Sequence, residues 1–277
     1  MYNIMYAGNT GVFDGMLSSV ISLVKFNPEP INIYILTMDL SDQNEKYQPI
    51  TQDQCNVIKS ILKQTNPLSN CCLIDLTERF RADGNLTCGE RFTPYSMLRL
   101  YADEIPMLPD KVLYLDTDTL ILDSLADLFA TDLQDYEYGA CRDYVGRWFF
   151  GYDYINSGVL LMNMPQIRKT SLMKKTRQMC VENKLFLSSD QDALNHCVEK
   201  KLFLHPRYNR QRRIEKDTVI RHYCGSWRFF PYIHLVTVKQ WQTDIVLKDK
   251  TNVYNNSAVT EILQEYLAVK AELDQVK

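Results

Sequence analysis

Between Asn3 and Asn163 this chain alternates short, β-rich apolar runs with stretches of helical periodicity, and no other feature limits its fold as much. Asn3–Ala7 reads as a buried strand stopping at Gly8. Val12, Phe13, Met16, Leu17, Val20, Ile21 and Val24 follow at helical spacing, and Pro28 and Pro30 close that helix. Further strands are predicted at Ile31–Met38, Cys72–Leu76, Lys111–Leu115, Tyr138–Arg142 and Ile155–Asn163. Helices are predicted over Gln52–Gln64, Thr93–Glu104, Pro165–Asn183 and Asp190–Lys201. Repeated βα units of this length predict an α/β domain of Rossmann-like type, with a mostly parallel central sheet flanked by helices. With no internal repeat and no Gly/Ser linker, a single domain is expected over 1–235. Residues 236–277 then form a C-terminal extension, strand and helix, packed on or beside it.

Charge narrows the function. The formal net charge is -3, from 31 Lys+Arg against 34 Asp+Glu, whereas binding nucleic acid through its phosphates calls for a basic excess. No nucleic-acid partner is expected. One local exception, Arg207, Arg210, Arg212, Arg213, Lys216, Arg221 and Arg228, is either a solvated face or a contact for phosphate or an anionic membrane. The eight cysteines form no C-x-x-C pair, and no apolar run approaches the roughly 18 residues that span a bilayer. A reduced, cytoplasmic protein is expected, with peripheral contact at the inner membrane face through residues 207–228 as an added expectation.

In open α/β sheets ligands bind beyond the carboxyl ends of strands. The turn Gly8-Asn9-Thr10-Gly11 carries neither phosphate-loop fingerprint. Asp116-Thr117-Asp118-Thr119 is more telling, because it follows the apolar run Val112–Leu115 without a break. Asp116 and Asp118 point to one side of an extended segment, and two crowded carboxylates call for a cation. Oxygen ligands suit Mg2+ or Mn2+. Two chemistries fit: sugar transfer, with the pair holding a cation on a nucleotide-sugar diphosphate, or a haloacid-dehalogenase-type phosphatase with Asp116 as nucleophile. The phosphatase string normally continues differently and lies nearer the N-terminus. His222 is a third candidate ligand, and imidazole favours Mn2+, with Mg2+ the alternative. Gly225 lets backbone approach a diphosphate, and Arg228 can bond its oxygens bidentately.

Taken in order, these pieces resemble the retaining glycosyltransferases of family 8, which have the GT-A fold. Asn3–Ala7 with its loop, including Ala7 and Asn9, looks like the first strand and uridine-binding turn. Arg99 matches the arginine preceding the family's D-x-D, and Asp116, Thr117 and Asp118 match the D-x-D itself. Tyr154–Asn163, containing Asn156 and Ser157, is similar to the F-N-A/S-G-V-L-L-x-N strand, and Asp190–Asn195 to D-Q-D-x-L-N. His222-Tyr223-x-Gly225-x-x-Arg228 looks like H-[FY]-x-G-x-x-K-P-W.

The resemblance implies a UDP-sugar donor carrying glucose or galactose, a saccharide or glycan acceptor, and metal ligands Asp116, Asp118 and His222. It also implies donor contacts from Arg99, Asn156, Ser157, Asp190, Gln191, Gly225 and Arg228, with Gln191 and Asp190 at the reaction centre. Asn9 replaces an acidic residue, Val12 an aromatic one, Arg228 a lysine, and Phe229-Phe230 the Pro-Trp pair. Gln191 is a poor nucleophile, which favours same-face substitution over a covalent intermediate on Asp190 or Asp143. The loop Asp143–Asp153, rich in aromatics, reads either as an acceptor platform or as a segment packed on the core.

Overall fold

A computed structural model describes residues 1–84, 93–182, 189–228, 234–248 and 256–275. Seven strands form the central sheet: β1 (Tyr2–Ala7), β2 (Ile31–Thr37), β3 (Asn70–Asp75), β4 (Lys111–Leu115), β6 (Tyr138–Arg142), β7 (Ile155–Asn163) and β8 (Lys201–Phe203). Their order is β3-β2-β1-β4-β7-β6-β8. Only β7 runs against its neighbours β4 and β6, so the expected mostly parallel sheet is what forms. Small two-stranded sheets pair β5 (Thr119–Ile121) with β9 (Ile220–His222), and β10 (Ser226–Arg228) with β11 (His234–Val236).

Helices cover both faces, as continuous apolar strands require. They are α1 (Phe13–Phe26), α2 (Gln52–Thr65), α3 (Thr77–Ala82), α4 (Ala126–Ala130), α5 (Gly146–Phe149), α6 (Met164–Thr170), α7 (Leu172–Glu182), α8 (Ser189–Cys197), α9 (Thr243–Val246) and α10 (Asn256–Gln275). Strand alternation divides the core in two. Ile4, Tyr6, Ile33, Ile35, Leu113 and Leu115 face α1, α2 and α10. Met5, Tyr34, Leu36, Val112 and Tyr114 face the segment Pro94–Glu104 and helices α6, α7 and α8. Helix α10 belongs to the first core through Val259, Ile262, Leu263 and Tyr266.

Three predicted helices differ in detail. Pro94–Glu104 winds as a 3-10 helix, and its buried Arg99 and Tyr101 show that tertiary packing set its pitch. The stretch predicted as one helix from Pro165 breaks at Ser171, which adopts a left-handed φ of 57° and separates α6 from α7. Helix α8 ends at Cys197, and Lys201, predicted helical, begins β8.

One face of α1 sets the position of β5, which follows the Asp116–Asp118 turn. Ser19 Oγ lies 2.9 Å from the Tyr6 hydroxyl and 3.2 Å from Thr119 Oγ1. Ser22 Oγ accepts the Ile121 amide at 2.9 Å and donates to Ser19 O at 2.6 Å. These serines are fully buried, so each unmade bond would carry its whole desolvation cost. Ser22→Ala is expected to cost about 1–3 kcal/mol by stranding the Ile121 N–H. Urea titration would read this as a lower midpoint at constant slope; an unchanged midpoint would refute this role for Ser22.

Candidate active site

The carboxyl ends of β1, β4 and β6 open on one edge of the sheet, because these strands run in the same direction. Asp116 lies one residue past β4 and Asp118 two residues further. In the β5–β9 ladder Thr119 pairs with His222, and the Tyr223 amide donates to Asp118 O at 2.8 Å. His222 Nε2 therefore sits 3.0 Å from Asp118 Oδ1 and 3.6 Å from Asp116 Oδ2. One ligand atom from each of Asp116, Asp118 and His222 lies within 4.8 Å of the others. This is a hard oxygen pair with one imidazole nitrogen, a donor set that fits a divalent cation of the Mn2+ or Mg2+ kind.

The surroundings select the histidine tautomer that leaves Nε2 open. His222 Nδ1 lies 3.1 Å from Asn209 Oδ1, an acceptor, so the ring proton belongs on Nδ1. Asn209 Nδ2 donates to Asn156 Oδ1 at 2.9 Å, and Asn156 Nδ2 donates to Asp143 Oδ2 at 2.9 Å. Asn156 stands in a distortion of β7: between Ala140 and Arg142 of β6, the paired residues of β7 run from Leu160 to Ile155. The extra residues push Asn156, Ser157 and Gly158 toward the site. Gly158 leaves no room for a side chain, since a Cβ there would sit 2.2 Å from His222 and 2.6 Å from Asp116 Oδ2.

Arg99 is buried and fully engaged by protein groups. Its Nε donates to Asp190 Oδ2 at 2.7 Å, and its Nη1 donates to Asp116 Oδ1 at 3.0 Å and Ser157 O at 2.9 Å. Its Nη2 also pairs with Asp190 at 2.6 Å. Burial raises the Asp190 pKa from its ordinary value, against the pull of Arg99. Asp118 shows the opposite balance. Burial pushes its pKa up, but His222 and Lys239 outweigh that and hold it well below the ordinary range.

Gln191 Oε1 accepts from the Ser157 amide at 3.0 Å, and its Nε2 donates to the Tyr154 hydroxyl at 3.2 Å. One turn along α8, Asn195 clamps the backbone of Ile155, accepting its N–H at 2.8 Å and donating to its carbonyl at 2.9 Å. Helix α8 thus grips the distorted stretch of β7.

Ala7 ends β1, and Asn9 is buried with Nδ2 donating to Lys46 O at 3.0 Å. Thr117 is buried between the two aspartates, and Gly225 is exposed just past β9. Arg228 ends β10; its side chain, with Phe229 and Phe230, lies outside the described residues. Sequence reasoning missed Lys239, whose ammonium pairs with Asp118 Oδ2 and lies 3.3 Å from Tyr223 O. It also missed Gln240, fully buried, which donates to Thr117 O at 2.7 Å, and Asn209. None of the three stands in a motif with recognisable spacing.

The profile of Glycosyl transferase family 8 matches residues 3–229. The chain belongs to that family. It is similar to the glycosyltransferase GlyA of Streptococcus pneumoniae, 31% identical over 199 residues, covering 72% of this chain and 26% of GlyA. It therefore spans about a quarter of that relative's length. Among solved structures it resembles the galactosyltransferase LgtC in complex with donor and acceptor sugar analogs, with a TM-score of 0.72 at 21% identity and 95% coverage of both chains. The S. pneumoniae glycosyltransferase GlyE superposes with a TM-score of 0.64 at 22% identity, covering 97% of this chain and 64% of GlyE. The architecture is the GT-A fold. The phosphatase reading finds no support. Asp116 Oδ1 is held by Arg99 and by the Tyr114 hydroxyl at 2.7 Å, and Oδ2 faces His222, so neither oxygen is placed as a free nucleophile.

Two substitutions outside the ligand set test this geometry. Gly158→Ala is expected to weaken Mn2+ binding at least about tenfold by calorimetry, since its methyl group would fill the space beside His222 and Asp116. Asn209→Ala, which removes the acceptor for Nδ1, should weaken it by roughly 10–100-fold. Wild-type affinity in both would mean that the cation binds elsewhere.

Proposed function

We propose that this glycosyltransferase moves a hexose, glucose or galactose, from a UDP-sugar to a saccharide or glycan acceptor with retention of configuration. Its cation, Mn2+ by preference, is held by Asp116, Asp118 and His222. The observation that carries this reading is the convergence of these three side chains with Nε2 left open by Asn209. Once bound, a divalent cation supplies Lewis-acid charge for the departing diphosphate. LgtC is a galactosyltransferase, which makes UDP-galactose the first donor to assay.

The chain's own groups then take these roles. Ala7 and Asn9 border the nucleoside: with Nδ2 held by Lys46 O, Asn9 Oδ1 is left to accept the uracil N3–H. Gly225 brings backbone to the diphosphate, and Lys239 joins Arg228 as a cation for its oxygens. Arg99 acts by positioning Asp116 and Asp190. Asn156, Ser157 and Gln191 border the donor sugar.

Same-face substitution, with the leaving phosphate taking the acceptor's proton, is the mechanism we favour. Asp190 is buried and bonded by Arg99, while Asp143 is engaged by Asn156 and by the Val145 and Gly146 amides at 3.0 and 2.6 Å. Neither carboxylate is free to attack an anomeric carbon. Residues 1–235 form the catalytic domain in this reading, and the 236–277 extension contributes Lys239. A cytoplasmic place of work belongs to the same proposal.

UDP release from UDP-galactose or UDP-glucose is expected to require Mn2+. Asp118→Asn and His222→Ala should each reduce it by on the order of a hundredfold, about 3 kcal/mol of transition-state stabilisation. Metal-independent release, or full activity in His222→Ala, would overturn the assignment.

A further inference from the structure

The loop joining β6 to β7 does not pack on the core. Trp148 and Phe149 are 76% and 73% exposed, and Tyr152 is 67% exposed, with Tyr144 and Phe150 also at the surface. Arginines are interleaved with them. The Arg147 and Arg212 guanidinium carbons lie 5.4 and 4.8 Å from the centre of the Tyr144 ring, and Arg212 Nη1 donates to the Tyr144 hydroxyl at 2.7 Å.

The acids of the loop are already occupied. Asp143 is consumed by the Val145 and Gly146 amides and by Asn156, and Asp153 pairs with Arg142 at 3.4 Å. Among the described residues Arg147 and Arg212 have no carboxylate partner, and the buried Arg147 Nε has no hydrogen-bond partner at all. The other basic residues nearby are mostly spent within the protein. Arg207 pairs with Asp127, Arg210 with Glu215 and Asp217, and buried Arg221 donates to the carbonyls of Arg210 and Arg212. Uncompensated positive charge therefore remains beside protruding aromatic rings. That combination suits the headgroup level of an anionic bilayer, where aromatic rings bury their faces and guanidinium groups meet phosphates.

We propose that Trp148, Phe149, Arg147 and Arg212 form an interfacial anchor that seats the rim of the active site on an anionic lipid surface. A saccharide platform fits less well, because the two most exposed rings project into solvent and, among the described residues, Arg147 over the Trp148 ring is the one polar group set against either of them. The anchor is held in place from within. Asp143 accepts the Val145 and Gly146 amides at the start of α5 while bonding Asn156, and the Phe150 ring lies 5.0 Å from that of Tyr154, whose hydroxyl accepts from Gln191. Seating the loop thus orients the site itself.

Sedimentation of the full chain with vesicles tests this without reference to sugar transfer. Vesicles of phosphatidylcholine with roughly a third phosphatidylglycerol should bind the protein, plain phosphatidylcholine much less, and added salt should release it. Trp148→Ala with Phe149→Ala should lower the partition coefficient by at least about tenfold. Arg212→Gln should lower it roughly fivefold, and both variants should keep the wild-type thermal midpoint. Absence of wild-type binding, or equal binding by the double variant, would overturn the proposal. So would a double variant that keeps vesicle binding but no longer binds soluble saccharides, an outcome that would assign the loop to the acceptor.

Discussion

The carboxylates gathered at one edge of the sheet are the constraint around which this protein is arranged. Asp116 and Asp118 come from the turn after β4 and Asp190 from α8, and without compensation their mutual repulsion would oppose folding. Arg99 is buried between Asp116 and Asp190, with its nitrogens also binding Ser157 O. His222 and Lys239 face Asp118 from the C-terminal part of the chain. Each cationic or imidazole group arrives on a different element, so satisfying these charges locks the Pro94–Glu104 helix, β9 and the segment before α9 onto the sheet. Breaking such a buried pair strands a charge, which is far costlier than losing a surface ion pair.

Much of the remaining order follows from the distortion of β7. A regular strand would direct alternate residues into the two cores; the extra residues between Leu160 and Ile155 instead turn Asn156 and Ser157 toward the site. The freed backbone groups are then satisfied by side chains. Gln191 accepts the Ser157 amide, and Asn195 takes both the N–H and the carbonyl of Ile155. A hydrogen-bonded chain from Asp143 through Asn156 and Asn209 to His222 links the exposed aromatic loop to the imidazole that faces both aspartates. Because every member is satisfied within the chain, the network orients His222 rather than leaving it to solvent.

The sequence by itself determined the α/β class, because a buried parallel strand must be apolar on both faces and a covering helix must repeat its apolar stripe. Both are local patterns that composition and spacing display. It also marked Asp116 and Asp118, since charges that directly follow the apolar run Val112–Leu115 have few structural uses at a strand end. Ordered motifs carried the resemblance that the family profile bears out over residues 3–229. Only the tertiary structure decided which distant groups meet. Thr119–Ile121 and Ile220–His222 are too short to show periodicity, yet their register brings His222 to Asp118. Lys239, Gln240 and Asn209 carry no local signal, because their partners are far away in sequence and their meeting depends on long-range packing. The break at Ser171 and the 3-10 winding of Pro94–Glu104 were equally illegible, since α7 and Arg99 take their places from contacts that form only when the whole sheet is assembled.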